Sequence, residues 1–255
     1  MPNLTSILIL CCFSFMAGFV DAIIGGGGLI QTPATFFTLP NVPVPSVLGT
    51  TKIPSFMGSG ISAFQYSRKV ILNLRLLLPI AGLAFLASLA GSYTLMLVPN
   101  QLMKPFALVI LMLVFFYTYF KKDFGNANQQ DIPFEKQLKF GLLMGVVIGF
   151  YDGFFGPGTG SFLVLGFISF IGFDFLKASA HAKIVNLLTN LASVLFFGFK
   201  GAIIYSIAFP MAIANICGAF LGARLAILKG NQFIRVFFLF VIAATILRFG
   251  YDLFF

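Results

Sequence analysis

The sequence predicts an all-α polytopic membrane protein made of two homologous halves, and three observations carry that reading. Of 255 residues, 59% are hydrophobic and only 9% charged, with 35 Phe and a mean hydropathy of +1.02; about a quarter of an ordinary soluble domain is charged. Apolar segments of helical length follow one another along the chain, whereas a membrane barrel needs alternating stretches of about ten residues. The third observation is recurrence: a constant offset of 131 aligns residues 18–91 with 149–222 without a gap. Asp21, Lys52, Ser62 and Pro79 return as Asp152, Lys183, Ser193 and Pro210, and Gly18, Gly25, Gly27 and Gly91 return as glycines.

The first half, residues 1–120, holds apolar segments at 4–24, 28–39, 46–66, 74–97 and 103–120. Residues 121–136, with Gly, Asn, Gln and Pro, form the polar loop between the repeats. The second half, 137–255, repeats the series at 138–153, 159–173, 178–198, 203–227 and 233–254. In each half the first helix is broken by glycine, at Gly25-Gly26-Gly27-Gly28 and at Gly156-Pro157-Gly158-Thr159-Gly160-Ser161. Glycine runs of this kind end helices. The stretch that follows, Leu29 to Leu39, has the length of a re-entrant segment rather than of a span. With three transmembrane helices after each broken one, the chain has about eight main membrane segments.

Basic residues favour an inverted repeat. If each broken segment turns back, one side collects eleven Lys and Arg, Arg68, Lys69 and Arg75 among them, and leaves Lys104 and Lys200 opposite; if every segment crosses, the split is eight to five. The positive-inside bias selects the first arrangement, with both termini outside. The same bias accounts for the net charge of +9, which is spread over segment ends rather than gathered into a nucleic-acid surface.

Other classes are excluded residue by residue. Cys11, Cys12 and Cys217 lie in apolar segments beside a single His, which offers neither a disulfide framework nor a metal site. The first apolar run lacks a basic start and reads as a mature membrane segment, not a leader. No His-Glu-x-x-His, nucleophile-base pair or nucleotide loop in its proper context is present, so the chain is not read as an enzyme, and no cofactor is expected.

The polar residues point to a site. From Lys52, the side chains of Ser55, Ser59 and Ser62 follow at helical spacing; from Lys183, Asn186, Asn190 and Ser193 do the same. Each set shares one helix face. A lone intramembrane Lys often snorkels to a headgroup, and Ser and Asn often serve as glue between helices. Two lysines at matched positions, each above a polar stripe, point instead to a polar pathway or anion site. A helix that begins after a Gly-rich break directs unsatisfied N–H groups at what lies before it, here at Gly26, Gly27 and Gly28 and at Gly158, Thr159, Gly160 and Ser161. Thr50, Thr51 and His181 are further candidate donors. Asp21 and Asp152 fall at the ends of the first half-helices, where the helix dipole disfavours a carboxylate. Each needs a partner, Lys or loop N–H, or a coupling proton; bracing of the loop is the alternative.

The ordered set Gly18-Phe-Val-Asp-Ala-Ile-Ile-Gly-Gly-Gly-Gly, Gly49-Thr-Thr-Lys, Gly149-Phe-Tyr-Asp-Gly-Phe-Phe-Gly-Pro-Gly-Thr-Gly-Ser and Ala182-Lys-Ile-Val-Asn-Leu-Leu-Thr-Asn resembles the TauE/SafE sulfite-exporter family, and most of all its YfcA-like branch. The resemblance spans essentially the whole chain. It implies a duplicated, multi-pass transporter of the cytoplasmic membrane that moves sulfite, sulfonates or other small organic anions. Such carriers work by alternating access around a site near the midplane, at the repeat interface. The other readings are a proton- or cation-coupled uptake carrier centred on Asp21 and Asp152, and an accessory membrane subunit. The expected partners are a small anion and the lipid bilayer; Phe-rich outer faces suit lipid or a second copy of the chain in a homo-oligomer equally well.

Overall fold

In a computed structural model, residues 4–99 and 132–254 are described, the last of them from 230 onward by backbone course alone. The expected segment at 103–120 and most of the inter-repeat loop lie outside the described residues. All regular structure among the described residues is helical: α1 (Leu4–Ile24), α2 (Gly28–Thr38), α3 (Val44–Ser67), α4 (Leu74–Leu97), α5 (Phe134–Phe154), α6 (Thr159–Ser169), α7 (Phe175–Phe199) and α8 (Tyr205–Phe254). Four stretches among these residues are long and apolar enough to cross a membrane: α1, α4, α7 and Tyr205–Lys229 of α8. The lengths of α3 and α5, 24 and 21 residues, also suffice for a span; both carry more polar residues.

Local chemistry explains the boundaries. α1 stops because Gly25 turns to a φ of 83°, with its N–H bonded to Asp21 O at 2.7 Å. α5 stops likewise at Gly156, φ 96°. The helices after the breaks, α2 and α6, have 11 residues each, a rise of roughly 16 Å, about half of a hydrocarbon core. Asn73 and Asp174 cap α4 and α7 by accepting from Leu76 N (3.3 Å) and Lys177 N (2.9 Å). Pro54 sits inside α3, two residues beyond Lys52, and removes one bond from the helical ladder there. Two apolar stretches expected as separate, 203–227 and 233–254, are joined in α8. Only Gly230 interrupts the junction and no Pro occurs beyond Pro210; one glycine costs a helix about 1 kcal/mol and does not end it.

The offset of the repeat pairs α1–α4 with α5–α8, and the packing interleaves the two sets. α1 lies mainly against α8 and α5 against α4, so the broken helix of each half rests on the fourth described helix of the other; α3 and α7 also pack on each other. Glycines allow the close approaches. A Cβ on Gly153 of α5 would meet the Ser88 backbone of α4, and one on Gly18 of α1 the Asn215 backbone of α8. Large apolar side chains such as Phe37, Phe64, Leu78, Leu143 and Ile213 remain exposed on the outside, as a lipid-facing surface requires.

Candidate functional site

The two helix breaks meet. Ser161, at the start of α6, donates its N–H to Gly25 O (3.0 Å) and its hydroxyl to Ile24 O (3.1 Å), so the first turn of one broken helix satisfies the last carbonyls of the other. The approach admits no side chain, since a Cβ on Gly25 would run into the Gly160 backbone. Gly158 precedes α6 with a φ of 85°, a conformation in which a Cβ is strained. Unwound backbone at membrane depth survives only when protein or a water-filled cavity covers it, and here each break covers the other.

The charges are exchanged between the halves. Lys52 Nζ from α3 lies 3.0 Å from Asp152 Oδ1 and donates to Asp152 O at 2.6 Å; Lys183 Nζ from α7 lies 2.9 Å from Asp21 Oδ2 and donates to Asp21 O. Each lysine of one half therefore binds the carboxylate and the end carbonyl of the other half's broken helix. A cation at a helix C-terminus opposes the negative end of the dipole, which resolves the unfavourable placement of Asp21 and Asp152. Both ammonium groups are deeply buried. Leaving such a charge unpaired is far more costly than the pair is favourable.

Around these pairs lies a small cavity of about 30 Å³, with room for water. Both halves contribute. Asp21, Gly28, Thr51, Lys52 and Ser55 reach it from α1, α2 and α3; Asp152, Gly158, Thr159 and Gly160 from around the second break; Asn186 and Asn190 from α7. The polar stripes of α3 and α7 touch directly, Asn186 Nδ2 donating to Ser59 Oγ (3.1 Å), while Asn190 Nδ2 turns back to Asn186 O on its own helix (2.7 Å). Lys183 stands behind Asp21, outside the lining.

Other residues singled out from the sequence lie elsewhere. Thr50 faces away from the cavity, bonding Ser46 O (2.6 Å) and accepting from Ile204 N (3.0 Å). His181 is packed against the rings of Phe167 and Phe173, with Nδ1 2.7 Å from Lys177 O and Nε2 accepting from Asn73 N at 3.1 Å. It ties α7 to the start of α4. Gly26 and Gly27 are not in the lining; a Cβ on Gly27 would strike Ala17 O, so this glycine serves packing of α2 on α1. Ser161 is used up in the bonds between the breaks. The amides of Leu29, Ile30 and Gln31 are also engaged, by Gly26 O and Gly27 O, which removes them from the expected anion seat at the start of α2.

Sequence reasoning missed three contributors. Thr32 lines the cavity. Gln31 donates to Thr51 O (3.2 Å) and accepts from Asn215 Nδ2 (3.1 Å), tying α2 to α3 and α8. Ser92 donates to Gly153 O and Ser193 Oγ, both at 3.2 Å, beside the second break. Their signal was polarity inside apolar stretches, as with the lysine stripes, but Gln31, Thr32 and Asn215 have apolar counterparts at the repeat offset and so did not recur. Among the described residues no His, Cys, Asp and Glu cluster could hold a metal ion.

A helical membrane protein whose repeats set broken helices around a polar cavity has the construction of a membrane transporter. The chain belongs to the family described as "Sulfite exporter TauE/SafE", which it matches over residues 10–249. It is 37% identical to "Probable membrane transporter protein" of Haemophilus influenzae, over 89% of this chain and 88% of that protein. Identity is 35% to "Probable membrane transporter protein ORF9" of Sinorhizobium sp, over 92% and 88% of the two chains. To "Probable membrane transporter protein YfcA" of Escherichia coli it is 30%, over 94% and 87%. No solved structure matches.

Proposed function

We propose that this chain is a secondary transporter of small anions such as sulfite, sulfonates or related organic anions, and that the anion binds in the cavity between the two helix breaks. The observation that supports it most is the convergence there of Lys52 with the start of α6, where Gly158 and Gly160 sit at the cavity wall. The positive end of α6 next to an ammonium favours an oxyanion, although the amides of Thr159, Ser161 and Phe162 are already bonded to Gly156 O, Gly25 O and Gly158 O. Asn186 adds a neutral donor, its Nδ2 giving one hydrogen to Ser59 Oγ; the hydroxyls of Thr51 and Thr159 are committed to Leu48 O and Gly156 O. Lys183 acts on the same site indirectly, by holding Asp21.

A cavity of about 30 Å³ is small for an oxyanion with several heavy atoms, so binding widens it. The anion enters by separating Lys52 from Asp152 and widening the gap between the breaks. Exchange of contacts between the halves supports an inverted repeat, whose two units rock against each other to open the site to either side. The protein sits in the cytoplasmic membrane with Arg68, Lys69 and Arg75 on its inner side, as the positive-inside bias favours.

The test is flux of radiolabelled sulfite, with a small sulfonate in parallel, into proteoliposomes that hold wild type, Lys52→Ala or Lys183→Ala. The wild type is expected to carry anion. Both variants lose at least tenfold in rate while still folded. Full flux in Lys52→Ala would remove the ammonium from the site, and no flux of either anion in the wild type would overturn the anion reading.

A further inference from the structure

The two ion pairs match in sequence but not in surroundings. Asp21 has a side chain 18% exposed, and its lysine lies behind it, away from the cavity. Asp152 has a side chain only 3% exposed, and both it and Lys52 line the cavity. Lys52 occupies Asp152 Oδ1 and the main-chain carbonyl; Asp152 Oδ2 has no hydrogen-bond partner among the described protein groups and faces the cavity. A buried, ionised carboxylate with an empty oxygen is unfavourable. The proton is the smallest ligand that relieves it, and a metal cation at the same place would meet the Lys52 ammonium.

Among the described residues, the groups facing Asp152 leave it as the site for that proton. α3 brings Lys52; across the cavity α1 brings Asp21, which Lys183 of α7 already holds. α4 contributes the neutral Ser92 through Gly153 O, and α6 and α7 the neutral Thr159, Asn186 and Asn190. The adjoining Tyr151 hydroxyl is committed to Pro157 O at 2.6 Å. With two lysines and two aspartates the empty site is neutral. A monoanion that takes Lys52 while Asp152 stays ionised makes it negative within the membrane, which is unfavourable. With a proton on Asp152, Lys52 is released to the anion and the site is neutral again.

From this we infer that Asp152 Oδ2 is a proton-coupling site, and that one proton accompanies each monoanion across the membrane. The inference rests on the anion reading above. The proton comes from water on the side to which the site is open. It resides on Asp152 while the anion contacts Lys52, and it leaves to water on the other side with the anion. Lys52 keeps its proton throughout, and its pair with Asp152 re-forms in the empty, neutral carrier. Transport is then electroneutral symport, and Asp21, already held by Lys183, carries no proton.

The experiment uses the full chain in proteoliposomes with a trapped pH indicator and radiolabelled methanesulfonate. That anion does not itself take up a proton near neutral pH, so any proton movement belongs to the protein. An inward methanesulfonate gradient is expected to acidify the lumen by one proton per anion, at a rate that rises as outer pH falls and is insensitive to an imposed potassium diffusion potential. In Asp152→Asn the proton-to-anion ratio falls from one to zero; in Asp21→Asn it stays at one. The wild-type ratio decides the matter even if Asp152→Asn does not fold. Methanesulfonate moving without protons, or Asp152→Asn retaining the ratio, overturns the coupling and leaves anion transport standing. Absence of methanesulfonate movement overturns it as well, and if sulfite also fails to move the anion reading falls with it.

Discussion

Replacing Lys52 by Met is expected to cost the fold about 3–5 kcal/mol, the usual consequence of stranding one member of a buried ion pair. The structure supports the upper part of that range. Asp152 is 3% exposed and already has one unpaired oxygen, so the substitution leaves the whole carboxylate and its main-chain carbonyl without the lysine. The double variant Lys52→Met, Asp152→Asn removes both charges and should lie within about 1–2 kcal/mol of the wild type, since a buried pair and a neutral replacement are often nearly equivalent. The double variant should then be more stable than Lys52→Met alone by about 2–4 kcal/mol. Lys183→Met should be milder, because Asp21 is 18% exposed and water can reach it. Reversible unfolding in bicelles, followed by denaturant or by steric trapping, measures all four variants on one scale. The reasoning fails if Lys52→Met is as stable as the double variant, or if Lys183→Met proves the more damaging single change.

Gly25→Ala should destabilise by more than about 2 kcal/mol in the same unfolding assay, since a left-handed conformation costs a Cβ about 1–2 kcal/mol and this Cβ also meets the Gly160 backbone. His181→Phe should lose about 1–3 kcal/mol by stranding the Asn73 N–H; sulfite flux per folded molecule should be unchanged, because His181 lies outside the cavity. Ser179→Ala should raise stability by roughly 1 kcal/mol, as its buried hydroxyl has no partner to lose.

Local chemistry wrote the backbone breaks into the sequence. Four consecutive glycines, and glycines alternating with Pro157 and Thr159, leave few options to a helix, and the 11-residue helices after them follow from segment length. Duplication was legible for the same reason: Asp21, Lys52 and the glycines of the breaks are unusual residues for a membrane, so their return 131 residues later is conspicuous. What the repeat does not encode is which half supplies which contact. Asp21 could have paired with Lys52 by sequence alone; it binds Lys183 because α3 and α7 pack on each other while the breaks abut. Thr50 and His181 show the limit from the other side. They flank the lysines in sequence, but neighbouring positions on a helix point about 100° apart or more, toward Ile204 and toward Phe173 rather than toward the cavity. Gln31 and Asn215 were invisible because their roles exist only between helices distant in sequence.

The crossed pairing also bears on how the chain is made. Synthesis delivers Asp21 and Lys52 to the membrane long before Asp152 and Lys183 exist, so the first half to emerge holds one acid and one base that it cannot neutralise in their native geometry. Its helices must wait, loosely assembled or shielded by the insertion machinery, until α5 and α7 arrive. The crossed ion pairs therefore close only once the second half is present, and a chain interrupted after the first half is left with Asp21 and Lys52 without their native partners.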